Sequence, residues 1–230
     1  MAGMYVKICG LRTIETVAAA TEAGADAVGF VFAPGSPRTI SADAAAALGR
    51  GVPPVVETVG VFRNQPIGEV LATAHRARLT TVQLHGDESL ADIARLRLEG
   101  FRTLRAFSAA AYSALDAEAR LAWESERILL DAVEPGAGVA FDPGTLEAGT
   151  PPGFWLLAGG LTAENVGQLA SAARPSGVDV SSGVESSRGV KDARLIRDFI
   201  GAVRALEQPG RRQGSTTKEP SPMDAARDED

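Results

Sequence analysis

The chain has 230 residues, 45% of them hydrophobic and 23% charged, with a formal net charge of −6 and a sequence pI of about 5.1. That length builds one sizeable core without a second domain, and the acidic balance excludes a general nucleic-acid binder while leaving room for an anionic small molecule. No window approaches the roughly 18 consecutive apolar residues of a membrane span. The N-terminus lacks the regions of a signal peptide, and a single cysteine suits a reducing compartment, so a cytoplasmic enzyme-sized domain without a membrane partner is expected.

Short runs rich in Val, Ile, Leu and Phe alternate with longer alanine-rich amphipathic stretches. The first strand is read at Tyr5–Cys9 and passes through a glycine turn into a helix over Thr13–Ala23. A second strand, Ala27–Phe32, precedes a helix over Ala42–Arg50, and a third, Thr58–Phe62, precedes one over Ile67–Ala77. The fourth pair is Thr81–Leu84 with Ser89–Glu99, and the fifth is Thr103–Phe107 with Ala111–Trp123. Ile128–Asp131 is followed by a weak helical stretch near Pro143–Ala148, Phe154–Ala158 by Ala163–Ala173, and Val178–Ser181 by Asp192–Leu206. Thr13, Ser41, Asp87 and Thr162 are candidate helix caps, with Gly24 and Gly100 as candidate stops.

Eight such alternations imply right-handed crossovers and a parallel sheet. Eight units in about 200 residues close as a single (β/α)8 TIM barrel. An open doubly wound sheet is the alternative, but the first turn lacks a Gly-x-Gly-x-x-Gly fingerprint. The barrel is assigned to residues 1–207. Gln208–Asp230, rich in Pro, Gly, Ser, Thr and charge with no apolar period, is read as a disordered tail.

Catalytic groups of such a barrel stand at the C-terminal ends of its strands, and alternation places Lys7, Cys9, Gln83, His85, Asp131, Asp179 and Ser181 on the inner face. A lysine inside a barrel needs a counter-charge; strand eight closes on strand one, which makes Asp179 the partner of Lys7, chiefly in a supporting role. The same ammonium is expected to lower the Cys9 thiol below its usual value of about 8.5 and raise its thiolate fraction, as a base or nucleophile requires. Cys9 as small core filler is the competing reading. Asp131 ends an apolar run, where desolvation favours the protonated acid, although an Asp there also caps turns. Together the two form a candidate acid–base pair on separate walls.

Gly159-Gly160 after strand seven and Ser182-Gly183 after strand eight are the candidate phosphate loops, since glycines let backbone N–H groups approach an anion. Ordinary turn glycines are the alternative. Arg38, in a loop stiffened by Pro34 and Pro37, suits planar recognition of a carboxylate or is a solvated surface arginine. His85 is placed at the rim and His75 on the surface; two histidines give no metal-ligand cluster, so no metal is expected.

These segments together resemble the phosphoribosylanthranilate isomerases. The resemblance runs from about Val6 to Leu206 and rests on Lys7-Ile8-Cys9-Gly10-Leu11, Gly29-Phe30-Val31-Phe32 through Ser36-Pro37-Arg38, Gln83-Leu84-His85-Gly86, Leu130-Asp131, Gly159-Gly160-Leu161 and Asp179-Val180-Ser181-Ser182-Gly183-Val184-Glu185. It implies an Amadori rearrangement of N-(5′-phosphoribosyl)anthranilate in tryptophan biosynthesis, with no cofactor. On that resemblance Asp131 is the general acid, Cys9 the general base, Arg38 the holder of the anthranilate carboxylate, and Gln83 and His85 further substrate contacts. The sequence departs from the family at Ala137 and Pro143, where threonine and tryptophan are usual, and at Arg188-Gly189, where Pro-Gly is usual. Another sugar-phosphate barrel enzyme and a non-catalytic phosphosugar-binding barrel are the competing functions. A polar exterior without an obvious patch is read as that of a monomer, with a homodimer left open.

Overall fold

The computed structural model describes residues 3–131 and 149–207. The weak helix near Pro143–Ala148, the departures at Ala137 and Pro143 and the tail from Gln208 lie outside the described residues.

Eight strands close into a barrel in sequence order: β1 Tyr5–Cys9, β2 Ala27–Val31, β3 Glu57–Phe62, β4 Thr81–Leu84, β5 Arg102–Ser108, β6 Ile128–Asp131, β7 Trp155–Ala158 and β8 Gly177–Val180. Every neighbouring pair is parallel, and β8 pairs with β1 to complete the ring. Around it run α1 Ile14–Glu22, α2 Ala42–Gly49, α3 Ile67–Ala77, α4 Leu90–Leu98, α5 Ala109–Ser113, α6 Ala117–Ala122, α7 Val166–Ala173 and α8 Ala193–Leu206. After β8 come a 3-10 turn, Ser182–Val184, and a small antiparallel hairpin of β9 Glu185–Ser187 and β10 Val190–Lys191.

The strands read as continuous apolar runs because both of their faces are covered. Their outward residues, among them Val6, Ile8, Phe30, Phe62, Leu84 and Leu130, form one layer with the helices, and all six are 0% exposed. Burial of each such side chain contributes about 1.5–3 kcal/mol. The inward residues fall into two smaller apolar groups, one around Leu104, Leu129 and Leu156 and one of Cys9, Val31 and Val61. The polar interior residues are a separate set.

Local signals explain most boundaries. Thr13, Ser41 and Ser89 cap α1, α2 and α4, the last in a reciprocal capping box with Asp92. Asp87 caps nothing; its N–H donates to Asn64 Oδ1 at 2.6 Å and so ties the β4 loop to the β3 loop. Thr162 is not a cap either: its own N–H is taken by Asn165 Oδ1 at 2.8 Å, and α7 starts only at Val166. The single helix expected over Ala111–Trp123 is two, because Asp116 caps a fresh start by accepting from the Ala119 N–H.

The N-terminal end of the barrel is closed by a plug of side chains. Arg127 Nη1 reaches both Glu57 oxygens at 3.2 and 3.0 Å, and Thr81 Oγ1 donates to Glu57 Oε2 at 2.6 Å. The Arg127 guanidinium also lies 5.4 Å from the Tyr5 ring centre and 4.7 Å from that of Phe154. Burial, then the Glu57 charge, push the Tyr5 hydroxyl up to about 12, so it stays neutral. Among the described residues no helix is long and apolar enough to cross a membrane.

Candidate active site

Lys7 and Asp179 sit side by side in the β1–β8 register, and Lys7 Nζ lies 2.7 Å from Asp179 Oδ1. Lys7 is 0% exposed. Burial works to discharge it, but the Asp179 carboxylate, which also accepts its hydrogen bond, prevails and holds its pKa above the ordinary lysine value. The pair expected from the sequence is therefore formed, with the lysine charged.

Cys9 ends β1 directly beside Gly29 of β2. A methyl group at residue 29 would stand 3.1 Å from Cys9 Sγ, so glycine there leaves room for the thiol. The expectation that Lys7 leaves this thiol more acidic than usual is not met. Burial pushes it above the ordinary thiol value, and although Lys7 and Lys191 pull it down, Asp179 adds to the rise and desolvation wins. The sign of the lysine effect is as expected; its size against dehydration is not.

Asp131 ends β6 on the inner face, in register with Ser108 of β5 and Ala158 of β7, and its side chain is 16% exposed. His85 Nε2 approaches Asp131 Oδ2 to 3.9 Å, beyond hydrogen-bonding distance. Burial drives the His85 pKa down to about 4, so the imidazole is neutral near pH 7. The loop carrying it is fixed from behind: Glu88 accepts from the N–H groups of Gly86 and Asn64, and Arg105 donates to the Gly86 carbonyl, each at 2.7 Å. Gln83, one pleat deeper than His85, is 1% exposed, and its Oε1 has no hydrogen-bond partner among the described residues.

The two glycine loops meet. Gly159 and Gly160 have φ of 93° and 64°, which side chains rarely tolerate. A Cβ on Gly183 would stand 1.8 Å from the Leu161 carbonyl oxygen, so the loop after β8 can pack against the loop after β7 only as glycine. Ser182 and Gly183 form the first turn of a 3-10 helix, whose leading N–H groups have no partner within the helix.

Arg38 is not a free surface arginine: its side chain is only 18% exposed and is engaged. Its Nε and Nη2 donate to the two oxygens of Glu185 at 2.6 and 2.9 Å. Lys191 Nζ meets the same carboxylate at 2.7 Å and also the Ser181 carbonyl at 2.8 Å, while Ser181 Oγ donates to the Cys9 carbonyl at 3.2 Å. Burial works to raise the Glu185 carboxyl, but hydrogen bonds from Arg38, Lys191 and the Gly189 N–H overcome it and hold it at about 2. A continuous chain of polar contacts thus runs from Arg38 to the backbone of Cys9.

Glu185 and Lys191 are the residues that sequence reasoning passed over. The available signal was a carboxylate and a lysine flanking a glycine turn directly after a strand end that carries candidate chemistry. Among the described residues no three His, Cys, Asp or Glu groups are placed to hold a metal ion.

The family model described as N-(5′-phosphoribosyl)anthranilate (PRA) isomerase matches residues 6–202. An N-(5′-phosphoribosyl)anthranilate isomerase of Geotalea uraniireducens is 44% identical over 208 residues, covering 87% of this chain and 98% of its own. The crystal structure of phosphoribosyl anthranilate isomerase from Thermus thermophilus superposes with a TM-score of 0.76 at 37% identity, covering 88% of this chain and all (100%) of that one. A phosphoribosyl anthranilate isomerase in complex with reduced 1-(o-carboxyphenylamino)-1-deoxyribulose 5-phosphate gives 0.74 at 34% identity, covering 88% and 99%.

Proposed function

Because the chain belongs to the N-(5′-phosphoribosyl)anthranilate isomerase family, we propose that the mouth of its barrel carries out that reaction with Cys9 as base and Asp131 as acid. The reaction is an aldose–ketose isomerisation of tryptophan biosynthesis that yields 1-(2-carboxyphenylamino)-1-deoxyribulose 5-phosphate. Asp131 gives its proton to the furanose ring oxygen as the C1′–O bond breaks, and the anthranilate nitrogen lone pair forms the C1′=N bond of a protonated Schiff base. Cys9, as thiolate, then takes the C2′ proton. The C–H electron pair becomes the C1′=C2′ bond, and the C=N pair returns to nitrogen. The resulting enolamine loses its hydroxyl proton and gains one at C1′ to become the ketone.

The height of the Cys9 pKa fits this order of events. A buried thiol is a strong base but sparsely ionised, and the cationic Schiff base formed in the first step supplies positive charge beside it, adding to Lys7 and Lys191. The loops at Gly159–Gly160 and Ser182–Gly183 are assigned to the phosphate, and Arg38 to the anthranilate carboxylate. Neutral His85 and the unpaired acceptor of Gln83 are assigned to the sugar and ring-opened chain. Residues 1–207 form the catalytic unit on this reading, which further places the enzyme in the cytoplasm as a monomer.

The observation that carries the assignment is the common end and common face of β1 and β6, which put Cys9 and Asp131 in one mouth above the Lys7–Asp179 pair. Freshly generated substrate, followed by loss of its anthranilate-type fluorescence, tests it. Cys9→Ser and Asp131→Asn each lower kcat by about 10²–10⁴-fold; near-normal turnover by a folded variant removes that residue from its role.

A further inference from the structure

Arg38 stands on the loop after β2 and Glu185 on the hairpin after β8, 147 residues apart in the chain. Glu185 takes the guanidinium from its side, through Nε at 2.6 Å and Nη2 at 2.9 Å. A guanidinium carries five N–H donors in one plane, so a side-on carboxylate uses two and leaves the end-on edge for a second planar oxyanion. That edge consists of Nη1 and the other hydrogen of Nη2, and among the described residues nothing bonds to Nη1.

Glu185 itself is held firmly. Its side chain is 4% exposed, Oε1 also accepts from Lys191 Nζ at 2.7 Å, and Oε2 also accepts from the Gly189 N–H at 2.9 Å. The stem of Arg38 rests on Gly10, where a Cβ would fall 2.7 Å from Arg38 Cδ and where φ is +81°. One side of the arginine is therefore packed on backbone, and one edge of its fork is tied to an anchored carboxylate.

We infer that Glu185 is a positioning residue that sets the enzyme's selectivity for a carboxylate-bearing aromatic amine, by presenting the free end-on edge of Arg38 in a fixed plane. This rests on the reading that Arg38 receives the anthranilate carboxylate. A free arginine loses rotamer freedom whenever it binds, whereas one already immobilised binds without that loss. Glu185 acts through Arg38 and touches no reacting atom.

The test is equilibrium binding of two probes to the full chain. One is reduced 1-(o-carboxyphenylamino)-1-deoxyribulose 5-phosphate, and the other is its phenylamino counterpart without the carboxyl group. The wild type binds the carboxylated probe more than about tenfold tighter, as a charge-assisted bidentate contact implies. Glu185→Gln cuts that preference about tenfold, while affinity for the carboxyl-free probe stays within about twofold. Glu185→Asp keeps a negative charge for the buried Lys191, so it holds the fold if the amide variant does not; its shorter reach releases Arg38 and gives the same loss of preference.

Equal weakening of both probes would reduce Glu185 to a purely structural residue and overturn the inference. Tighter binding of the carboxylated probe by Glu185→Gln would make Glu185 a competitor for Arg38, which overturns it too. A wild type with no preference between the probes would remove Arg38 from the carboxylate, and the inference with it. A preference lost in Arg38→Lys but intact in both Glu185 variants would overturn the positioning role alone.

Discussion

The two ends of this barrel use the same residue types for opposite purposes. At the N-terminal end, Glu57 is met by Arg127 and Thr81, with Arg102 Nη1 3.4 Å away, and two aromatic rings cover Arg127. Among the described residues Glu57 and Arg127 both face other groups of the plug, so the contacts close the barrel. At the C-terminal end the ion pairs tie the β2 loop to the β9–β10 hairpin, Arg38 to Glu185 to Lys191, and keep donors or acceptors in hand. The Gln83 acceptor and a neutral His85 stand in the same mouth. Satisfied polar groups hold a fold together; polar groups held rigid but incompletely partnered are available to a ligand.

Substitutions at the two ends separate these purposes. The largest effect falls on turnover: Cys9→Ser or Asp131→Asn costs about 10²–10⁴ in kcat with an unfolding midpoint close to wild type. A matching loss of thermal stability would erase the distinction between the ends. At the other end, Glu57→Gln leaves a half-buried Arg127 without its carboxylate and lowers stability by about 2 kcal/mol, less than a fully buried pair because Arg127 is 23% exposed. In a domain of this size that is about 4–8 °C in Tm, with kcat unchanged; a lower kcat would mean that the plug reaches the chemistry.

Acid sensitivity gives a finer probe. His85 titrates near 4 when folded, below its ordinary 6.5, so between these values the unfolded chain binds the extra proton. Stability from this group is therefore complete above pH 6.5 and is lost as the pH falls toward 4. His85→Gln flattens that part of a Tm-versus-pH curve, while the Glu185 limb, between 4.5 and about 2, remains. An unchanged slope above pH 4.5 would place the acid sensitivity elsewhere. The smallest effect is on labelling. Cys9 is the one cysteine in the sequence, and its raised pKa makes iodoacetamide alkylation at pH 7.5 slower than for a free thiol, with the rate still climbing at alkaline pH where a free thiol has levelled off. Fast labelling at neutral pH would show that the lysines outweigh burial after all.

The architecture was legible because the strands are short apolar runs at regular spacing and their ends carry the polar residues. Lys7 with Asp179 followed from alternation and ring closure alone, since an inward lysine on the first strand has the last strand for a neighbour. Three matters were out of reach. The break at Asp116 depends on a cap inside an otherwise helical pattern. The Cys9 pKa depends on a balance of desolvation against charge, and spacing carries no depth of burial. The Arg38–Glu185 pair joins loops from opposite ends of the chain, each of which reads locally as an ordinary turn.

The Lys7–Asp179 contact has a consequence for how the molecule is made. Its two halves come from the first and the last strands, 172 residues apart. A nascent chain that has left the ribosome with seven strands holds an interior lysine with no counter-charge, in a sheet with two open edges. The eighth strand supplies that counter-charge, closes the ring and sets Ser181 against the backbone of Cys9. A chain without β8 therefore lacks both the closed barrel and the Lys7–Asp179 pair.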